Sequence, residues 1–177
     1  IDSKSQRLKK LTEDLVEASK ASSGAIKLKL EKININELIK QSIGEFKDKF
    51  NSKGLKIDTS YTNSNTVITA DSRYLYRVIE NLFSNISKYA LENSRVYIEI
   101  QEKQDKVIII IKNISKEKLN ISSDELMQRF VRGDKARNTE GSGLGLSIAQ
   151  SLTELQNGTF EIKIDGDLFK AQIEFPI

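Results

Sequence analysis

Hydrophobic residues recur along the chain with two periods, and the changes of period divide it into helices and strands. A period near 3.6 is typical of an amphipathic helix, and strict alternation is typical of a strand with one buried face. The pattern predicts helices at residues 2–22, 34–53, 71–91 and 144–156. It predicts strands at residues 25–33, 55–61, 66–69, 95–102, 106–112, 159–164 and 169–175. This order predicts an α+β fold, a two-layer sandwich whose mixed sheet carries helices on one face and follows one long helix.

The first helix carries its hydrophobic residues in heptad register, which is typical of a helix that packs against a partner helix. One side of the narrow seam holds Ile1, Leu8 and Leu15, and the other holds Leu11 and Ala18. The alternative is that this helix simply packs on its own domain.

Composition narrows the chemistry that the chain can perform. It has 177 residues, 38% of them hydrophobic, and this is enough for one core. It contains no cysteine and no histidine, so thiolate metal sites, disulfides and imidazole bases are excluded. The net charge of +3 is too small to favour nucleic acid as the main partner. The longest apolar run, residues 107–111, is too short to span a bilayer, and no secretory signal opens the chain.

A polar stripe runs along the third helix. Arg77, Asn81, Asn85 and Lys88 follow one another at spacings of four, four and three residues, so they share one face. Asparagine is a poor residue inside a helix, and a merely solvated face would more readily carry Glu, Lys or Gln. Amide oxygens followed by a lysine suit Mg²⁺ and phosphate oxygens. A solvated face remains the alternative.

A second candidate site opens the fourth helix. Gly141, Gly143 and Gly145 precede it, and the free N–H groups at a helix start favour an anion such as phosphate. The spacing matches neither the dinucleotide fingerprint nor a P-loop, and a plain turn is the alternative.

The stretch before these glycines is polar and basic. Residues 113–142 show one short helical pattern, at 124–128, followed by the bulky apolar pair Phe130 and Val131. A long, weakly structured segment inside a compact domain is often a functional lid. Arg132 lies among its cations, which either clamp phosphate oxygens or form a solvated basic loop.

Three segments, taken together and in this order, resemble the ATP-binding catalytic domain of bacterial two-component sensor histidine kinases, in the GHKL superfamily. RVIENLFSNISKYA (77–90) is similar to the N box, RFVRGD (129–134) to the F box, and GSGLGL (141–146) to the second glycine box. The resemblance covers residues 25–177 and implies that ATP and Mg²⁺ bind beneath a lid at about 115–142. Residues 1–24 resemble the second helix of the dimerisation and histidine-phosphotransfer hairpin.

The resemblance also implies roles for individual residues. Asn85 matches the asparagine that coordinates Mg²⁺, and Asn81 matches a position near the metal and the phosphates. Three residues match catalytic positions: Asn81, Lys88 and Arg132. Ten match nucleotide-binding positions: Asn81, Asn85, Lys88, Tyr89, Asn113, Arg132, Gly141, Gly143, Gly145 and Leu146.

The sequence departs from the family pattern at its first glycine box, D-x-G-x-G, whose aspartate accepts a hydrogen bond from the adenine amino group. Here the strand leads into Asn113, Ile114 and Ser115, without the glycines. The amide oxygen of Asn113 is an acceptor too, but a weaker one than a carboxylate.

A second departure is the missing phosphoacceptor histidine, which the family carries on the first helix of the hairpin. We therefore expect a fragment of a longer protein that binds ATP but does not phosphorylate itself. In the parent, the γ-phosphate passes to that histidine and then to a response-regulator aspartate. The resemblance further implies a homodimer formed through the hairpin, a response-regulator partner, and a cytoplasmic domain whose parent is anchored in the cell membrane.

The sequence leaves two rival functions and a weaker third, a serine kinase of the same superfamily, which the leading heptad helix disfavours. A GHKL ATPase needs a glutamate one turn before the metal-binding asparagine to activate water, and Asn81 occupies that position. A pseudokinase would use the sandwich only to dimerise or to dock a regulator, and the altered first glycine box is its sole support.

Overall fold

The computed structural model describes residues 3–119, 127 and 144–177. Its helices are α1 (Ser3–Ser23), α2 (Ile35–Ser52), α3 (Ser72–Tyr89) and α4 (Gly145–Leu155). Its strands are β1 (Glu31–Asn34), β2 (Lys56–Tyr61), β3 (Val67–Ala70), β4 (Arg95–Glu102), β5 (Lys106–Ile114), β6 (Thr159–Asp165) and β7 (Leu168–Pro176).

The main sheet is mixed, as the sequence predicts. Its five strands lie in the order β2-β4-β5-β7-β6, with β2 parallel to β4 and the other neighbours antiparallel. Strands β1 and β3 form a separate antiparallel pair. The adjacent segments β2 and β3 therefore belong to different sheets.

One face of the main sheet is covered by helices, which confirms the two-layer sandwich. In β5 the alternate residues Val107, Ile109 and Ile111 are almost fully buried in the core. The apolar face of α3 packs into the same core through Val78, Ile79, Leu82, Phe83 and Ile86. Edge-on contacts between Phe83 and the rings of Phe46 and Phe50, with centroids 5.7 and 5.5 Å away, join α2 to α3.

Two predicted strand boundaries are corrected. The strand predicted at residues 25–33 begins only at Glu31, because β1 has a ladder partner only along β3. Ahead of it, the backbone N–H of Lys29 donates to the Asp71 carboxylate at 2.8 Å and not to a neighbouring strand. Strand β5 continues beyond the predicted end at residue 112 to Ile114, since Leu168 of β7 still pairs there.

Helix α1 packs on its own domain along one side of its heptad seam. Leu11 and Ala18 are partly buried against the core, and Ala21 is buried. Leu8 and Leu15, on the other side of the seam, are 64% and 53% exposed. The interpretation that α1 packs on its own domain is thus right for the side with Leu11 and Ala18. The side with Leu8 and Leu15 retains the exposed apolar stripe that the heptad pattern predicts.

Within residues 3–119, 127 and 144–177, no helix combines the length and the apolar character needed to cross a membrane.

Candidate functional site

Helices α3 and α4 run antiparallel, and a contact near each end of α4 fixes their register. At one end, the backbone N–H of Asp71 donates to the Gln156 side-chain oxygen at 2.8 Å, and both side chains are almost completely buried. At the other end, a Cβ placed on Gly145 would lie 3.6 Å from Oδ1 of Asn81. The polar stripe of α3 therefore meets the first residue of α4.

The start of α4 presents backbone N–H groups and the positive end of the helix dipole. Leu144 occupies the N-cap position without a side-chain cap, and the first turn contains no acidic residue. The dipole and the N–H groups of the first turn therefore favour an anion at this end of the helix. Leu146, predicted at this site, is 1% exposed and packs into the core, so it anchors the helix start.

Asn81 contributes a donor that no described residue satisfies. Its side chain is 8% exposed, and its Nδ2 is buried without a hydrogen-bond partner in the described part of the chain. An unpaired buried amide donor costs about 1–3 kcal/mol. Its position beside the start of α4 indicates that a ligand oxygen completes the arrangement.

The end of α3 is tied to the end of β5. The N–H of Lys116 donates to the Tyr89 carbonyl at 2.9 Å, and that of Leu91 donates to the Ile114 carbonyl at 2.8 Å. The three predicted residues of the last two turns of α3, all half-buried, are thereby held beside this strand end: Asn85, Lys88 and Tyr89.

Asn113 lies at that strand end, on the face that carries the buried residues of β5. It is 3% exposed, and its Nδ2 donates to the Ile114 carbonyl at 3.3 Å. Its Oδ1 is buried and accepts no hydrogen bond from the described residues. The side chain thus offers an unused acceptor in otherwise apolar surroundings.

Arg77, the first residue of the polar stripe, is engaged with carboxylates of α1 and α3. Its guanidinium binds Asp14 at 2.8 Å and Glu17 at 3.0 Å on α1, and Glu80 at 2.9 Å. Burial acts to lower the pKa of Arg77, but hydrogen bonds and the charges of Glu80 and Glu17 outweigh it and raise the pKa. Sequence spacing could not reveal these partners, because the two on α1 approach only through the tertiary fold.

Part of the predicted site lies outside the described residues: Arg132, Gly141 and Gly143, together with most of the predicted lid and of the helical pattern at 124–128. The structure brings Asn81 of α3 together with Gly145, and it places Asn113 at the strand end bonded to the end of α3.

The available donors and acceptors fit a nucleotide with its Mg²⁺. The free Oδ1 of Asn113 suits an amino group of a base, and Nδ2 of Asn81 with the start of α4 suits phosphate oxygens. The described residues contain no cluster of three or more carboxylates that could hold a metal alone. Mg²⁺ commonly binds through one or two protein oxygens plus phosphates, and the Asn85 amide oxygen can serve in this way.

Comparison with known proteins agrees with this chemistry. Residues 70–176 match the family described as histidine kinase-, DNA gyrase B-, and HSP90-like ATPase. The chain is 29% identical over 164 residues to the probable sensor protein PcoS of Escherichia coli. The match includes 91% of this chain and 34% of PcoS, so the chain spans about a third of that relative's length.

Solved structures share the fold. The full-length histidine kinase ShkA, determined with AMPPNP, superposes with a TM-score of 0.75 at 22% identity, over 94% of this chain and 35% of that one. The histidine kinase ThkA, in complex with the response regulator protein TrrA, superposes with a TM-score of 0.74 at 21% identity. That superposition covers 98% of this chain and 48% of ThkA.

Proposed function

The chain belongs to the family of histidine kinase-, DNA gyrase B-, and HSP90-like ATPases, and from this we propose that it is the ATP-binding catalytic part of a sensor histidine kinase. In the parent protein it presents the γ-phosphate of ATP to a histidine that lies outside residues 1–177, and the phosphate then passes to an aspartate of a response regulator. The names of its relatives support the assignment to sensor proteins.

The proposal depends on two buried amide atoms that no described residue satisfies. Nδ2 of Asn81 lies near the start of α4, and Oδ1 of Asn113 lies at the strand end bonded to α3. A donor for phosphate and an acceptor for a base amino group are what an adenine nucleotide requires. Each unpaired atom destabilises the ligand-free fold, so a ligand that pairs with it restores the free energy lost on burying that atom.

The residues of the site act chiefly by positioning and by offsetting charge. Asn113 accepts from the adenine amino group, and Asn81 with the N–H groups of α4 holds phosphate oxygens. Asn85 supplies an amide oxygen to Mg²⁺, whose chemical contribution is to neutralise phosphate charge. Lys88 and Arg132 add positive charge near the transferred group, and Gly141 and Gly143 let the backbone approach the phosphates.

Phosphoryl transfer is favoured over hydrolysis by the residue at position 81 and by the direction in which Glu80 points. The position one turn before Asn85 holds the neutral Asn81, which cannot take a proton from water at neutral pH. The neighbouring Glu80 carboxylate is bound to Arg77 at 2.9 Å, on the side of α3 that faces α1. An imidazole acceptor needs no such base, because its nucleophilic nitrogen carries a free lone pair.

The parent is proposed to be a homodimer that is joined through the hairpin whose last helix is residues 1–24. Exposed Leu8 and Leu15 on α1 support this division, with residues 25–177 as the catalytic domain. We further propose that the partner in the second transfer is a response regulator, by analogy with the ThkA–TrrA complex. The catalytic domain would face the cytoplasm, with the parent anchored in the cell membrane.

The kinase proposal is tested by phosphate transfer in the full-length parent. With γ-labelled ATP and Mg²⁺, we expect label that is stable in base and labile in acid, as phosphohistidine is. Asn85→Ala is expected to lower the rate about 100-fold, the effect typical of removing one charge-stabilising group. Asn51→Ala, on the exposed end of α2, is the control. Normal labelling of the Asn85→Ala protein would contradict the proposal.

A further inference from the structure

Asn113 is the polar residue that ends the buried row of β5. Its register partners are Val96 on β4 and Phe169 on β7, both buried and apolar. Residues 107, 109 and 111, which precede it on the same face, are buried valine and isoleucine. A base that reaches this face of β4, β5 and β7 therefore meets a polar side chain, the amide of Asn113, among buried apolar residues.

An amide differs from a carboxylate in carrying both a donor and an acceptor. The edge of adenine presents a 6-amino donor beside the N1 acceptor. A 6-oxopurine such as hypoxanthine or guanine presents the reverse, an O6 acceptor beside an N1–H donor. A half-turn about the Cβ–Cγ bond lets one amide match either edge, whereas an ionised carboxylate has no proton to donate to O6.

The protein holds the amide of Asn113 in one orientation only weakly. Its one hydrogen bond to the described residues runs from Nδ2 to the neighbouring Ile114 carbonyl, at a long 3.3 Å. Oδ1 accepts none from the described residues. A half-turn of the side chain therefore breaks a single weak, neutral hydrogen bond and turns Oδ1 toward the Ile114 carbonyl, while a bound base supplies new hydrogen bonds to both ends of the amide.

From these observations we infer that Asn113 relaxes base selectivity, so that the site binds 6-oxopurine nucleotides as well as adenine nucleotides. The inference rests on the proposed nucleotide site. Because the switch to a 6-oxopurine breaks one neutral hydrogen bond, we expect the affinity for adenine nucleotides to be about tenfold higher. A charge-assisted bond to a carboxylate is about twice as strong, so an aspartate at position 113 would select adenine more strictly.

The test compares ADP with IDP, which replaces the 6-amino group by an oxo group and N1 by N1–H. Calorimetry with Mg²⁺ on the unchanged chain should give an IDP affinity within about tenfold of the ADP affinity. GDP serves as a further probe, because its 2-amino group tests whether the pocket also admits that substituent.

Variants at position 113 identify the selecting residue. Asn113→Asp should widen the ADP-to-IDP ratio by at least about tenfold. Asn113→Ala, which buries no charge, should weaken the binding of both nucleotides and narrow the ADP-to-IDP affinity ratio. Asn51→Asp, on the exposed end of α2, should change neither affinity. Thermal melting confirms that each variant is folded.

Three outcomes would overturn the inference. The first is normal ADP binding by the unchanged chain with IDP more than about 100-fold weaker, since one neutral hydrogen bond cannot account for that gap. The second is an unchanged ratio in both Asn113 variants, which would assign selection to another residue. The third is no binding of either nucleotide, and this one also removes the proposed function, so the two failures are distinguished by ADP alone.

Discussion

Asn81 lies directly against Gly145, where a Cβ would be 3.6 Å from the Asn81 Oδ1. Oδ1 and Nδ2 of the same amide thus lie beside the start of α4, and Nδ2 is buried without a partner among the described residues. The contact joins two segments that the sequence marks independently, the polar stripe of α3 and the glycines before α4. The candidate phosphate site is therefore fixed by the packing of one helix on another.

Replacing Asn81 by leucine should separate stability from binding. Asn81→Leu removes a buried, unpaired donor and keeps a similar volume, so we expect the free energy of unfolding to rise by about 1 kcal/mol. Nucleotide affinity should fall, because the donor to the phosphates is lost. Denaturant unfolding and calorimetry measure the two effects.

Asn51→Leu is the matched control for this change, since it introduces the same residue at an exposed position near the end of α2. Its change in unfolding free energy measures how much of the Asn81→Leu effect comes from helix propensity alone. A loss of stability in Asn81→Leu, relative to this control, would contradict the view that the Asn81 amide lacks a partner.

Substitution by alanine should change the free energy of unfolding differently at two glycines near α4. At Gly158 a Cβ would lie 2.8 Å from Thr153 Cγ2 and 3.0 Å from the Glu174 carbonyl oxygen. Gly158→Ala should therefore destabilise the fold by about 1–3 kcal/mol, as overpacking does. Gly145→Ala should leave the free energy of unfolding almost unchanged, because its Cβ meets only ordinary contact distances. Equal destabilisation of both variants would show that the start of α4 is packed more tightly than the structure indicates.

Arg77 should hold α1 against the rest of the fold. Its side chain is 17% exposed and binds Asp14, whose side chain is 4% exposed, at 2.8 Å. Because Arg77→Ala leaves a buried carboxylate with reduced compensation, we expect a loss of about 3 kcal/mol in unfolding free energy. We also expect faster proteolysis within α1. Chemical denaturation and limited digestion check the two effects.

The exposed pair Lys163–Glu161 provides the comparison, with side chains that are 51% and 59% exposed. Lys163→Ala should cost less than about 1 kcal/mol, because solvent screens such pairs. If Arg77→Ala cost no more than this, the apolar contacts of Leu11, Ala18 and Ala21 would be sufficient to dock α1.

Asp71 should make the fold sensitive to acid. Burial acts to raise its pKa, but hydrogen bonds from the Arg73 side chain and from the N–H groups of Lys29 and Arg73 outweigh it and lower the pKa. Because the folded-state pKa is below the unfolded value of about 4, the ionised form stabilises the fold above that pH. This stability is lost as the pH falls through the folded-state pKa.

The isosteric variant Asp71→Asn measures the contribution of this charge. It should be less stable than the unchanged chain by about 1 kcal/mol at pH 7, the size of a typical helix-cap effect. The difference should shrink below about pH 4, where Asp71 becomes protonated. A difference that stays constant from pH 7 to pH 2 would show that the Asp71 charge contributes nothing.

Local patterns predicted most helices and strands, because each is decided by neighbouring residues. Asn34 and Asp71 cap α2 and α3 by accepting from backbone N–H groups, as their residue types favour. The spacing of Asn81 and Asn85 likewise located the polar face of α3. Local patterns do not predict contacts between distant segments. The partners of Arg77 on α1 and the hydrogen bond from Asp71 to Gln156 are therefore seen only in the fold.

A Mg²⁺-dependent nucleotide site between α3 and α4 can be measured by titrating this chain with AMPPNP in a calorimeter. We expect one saturable site that requires Mg²⁺, whose affinity falls at least about tenfold in Asn85→Ala and is unchanged in Asn51→Ala. No saturable binding at millimolar AMPPNP, or equal affinity in the Asn85→Ala chain, would contradict this expectation.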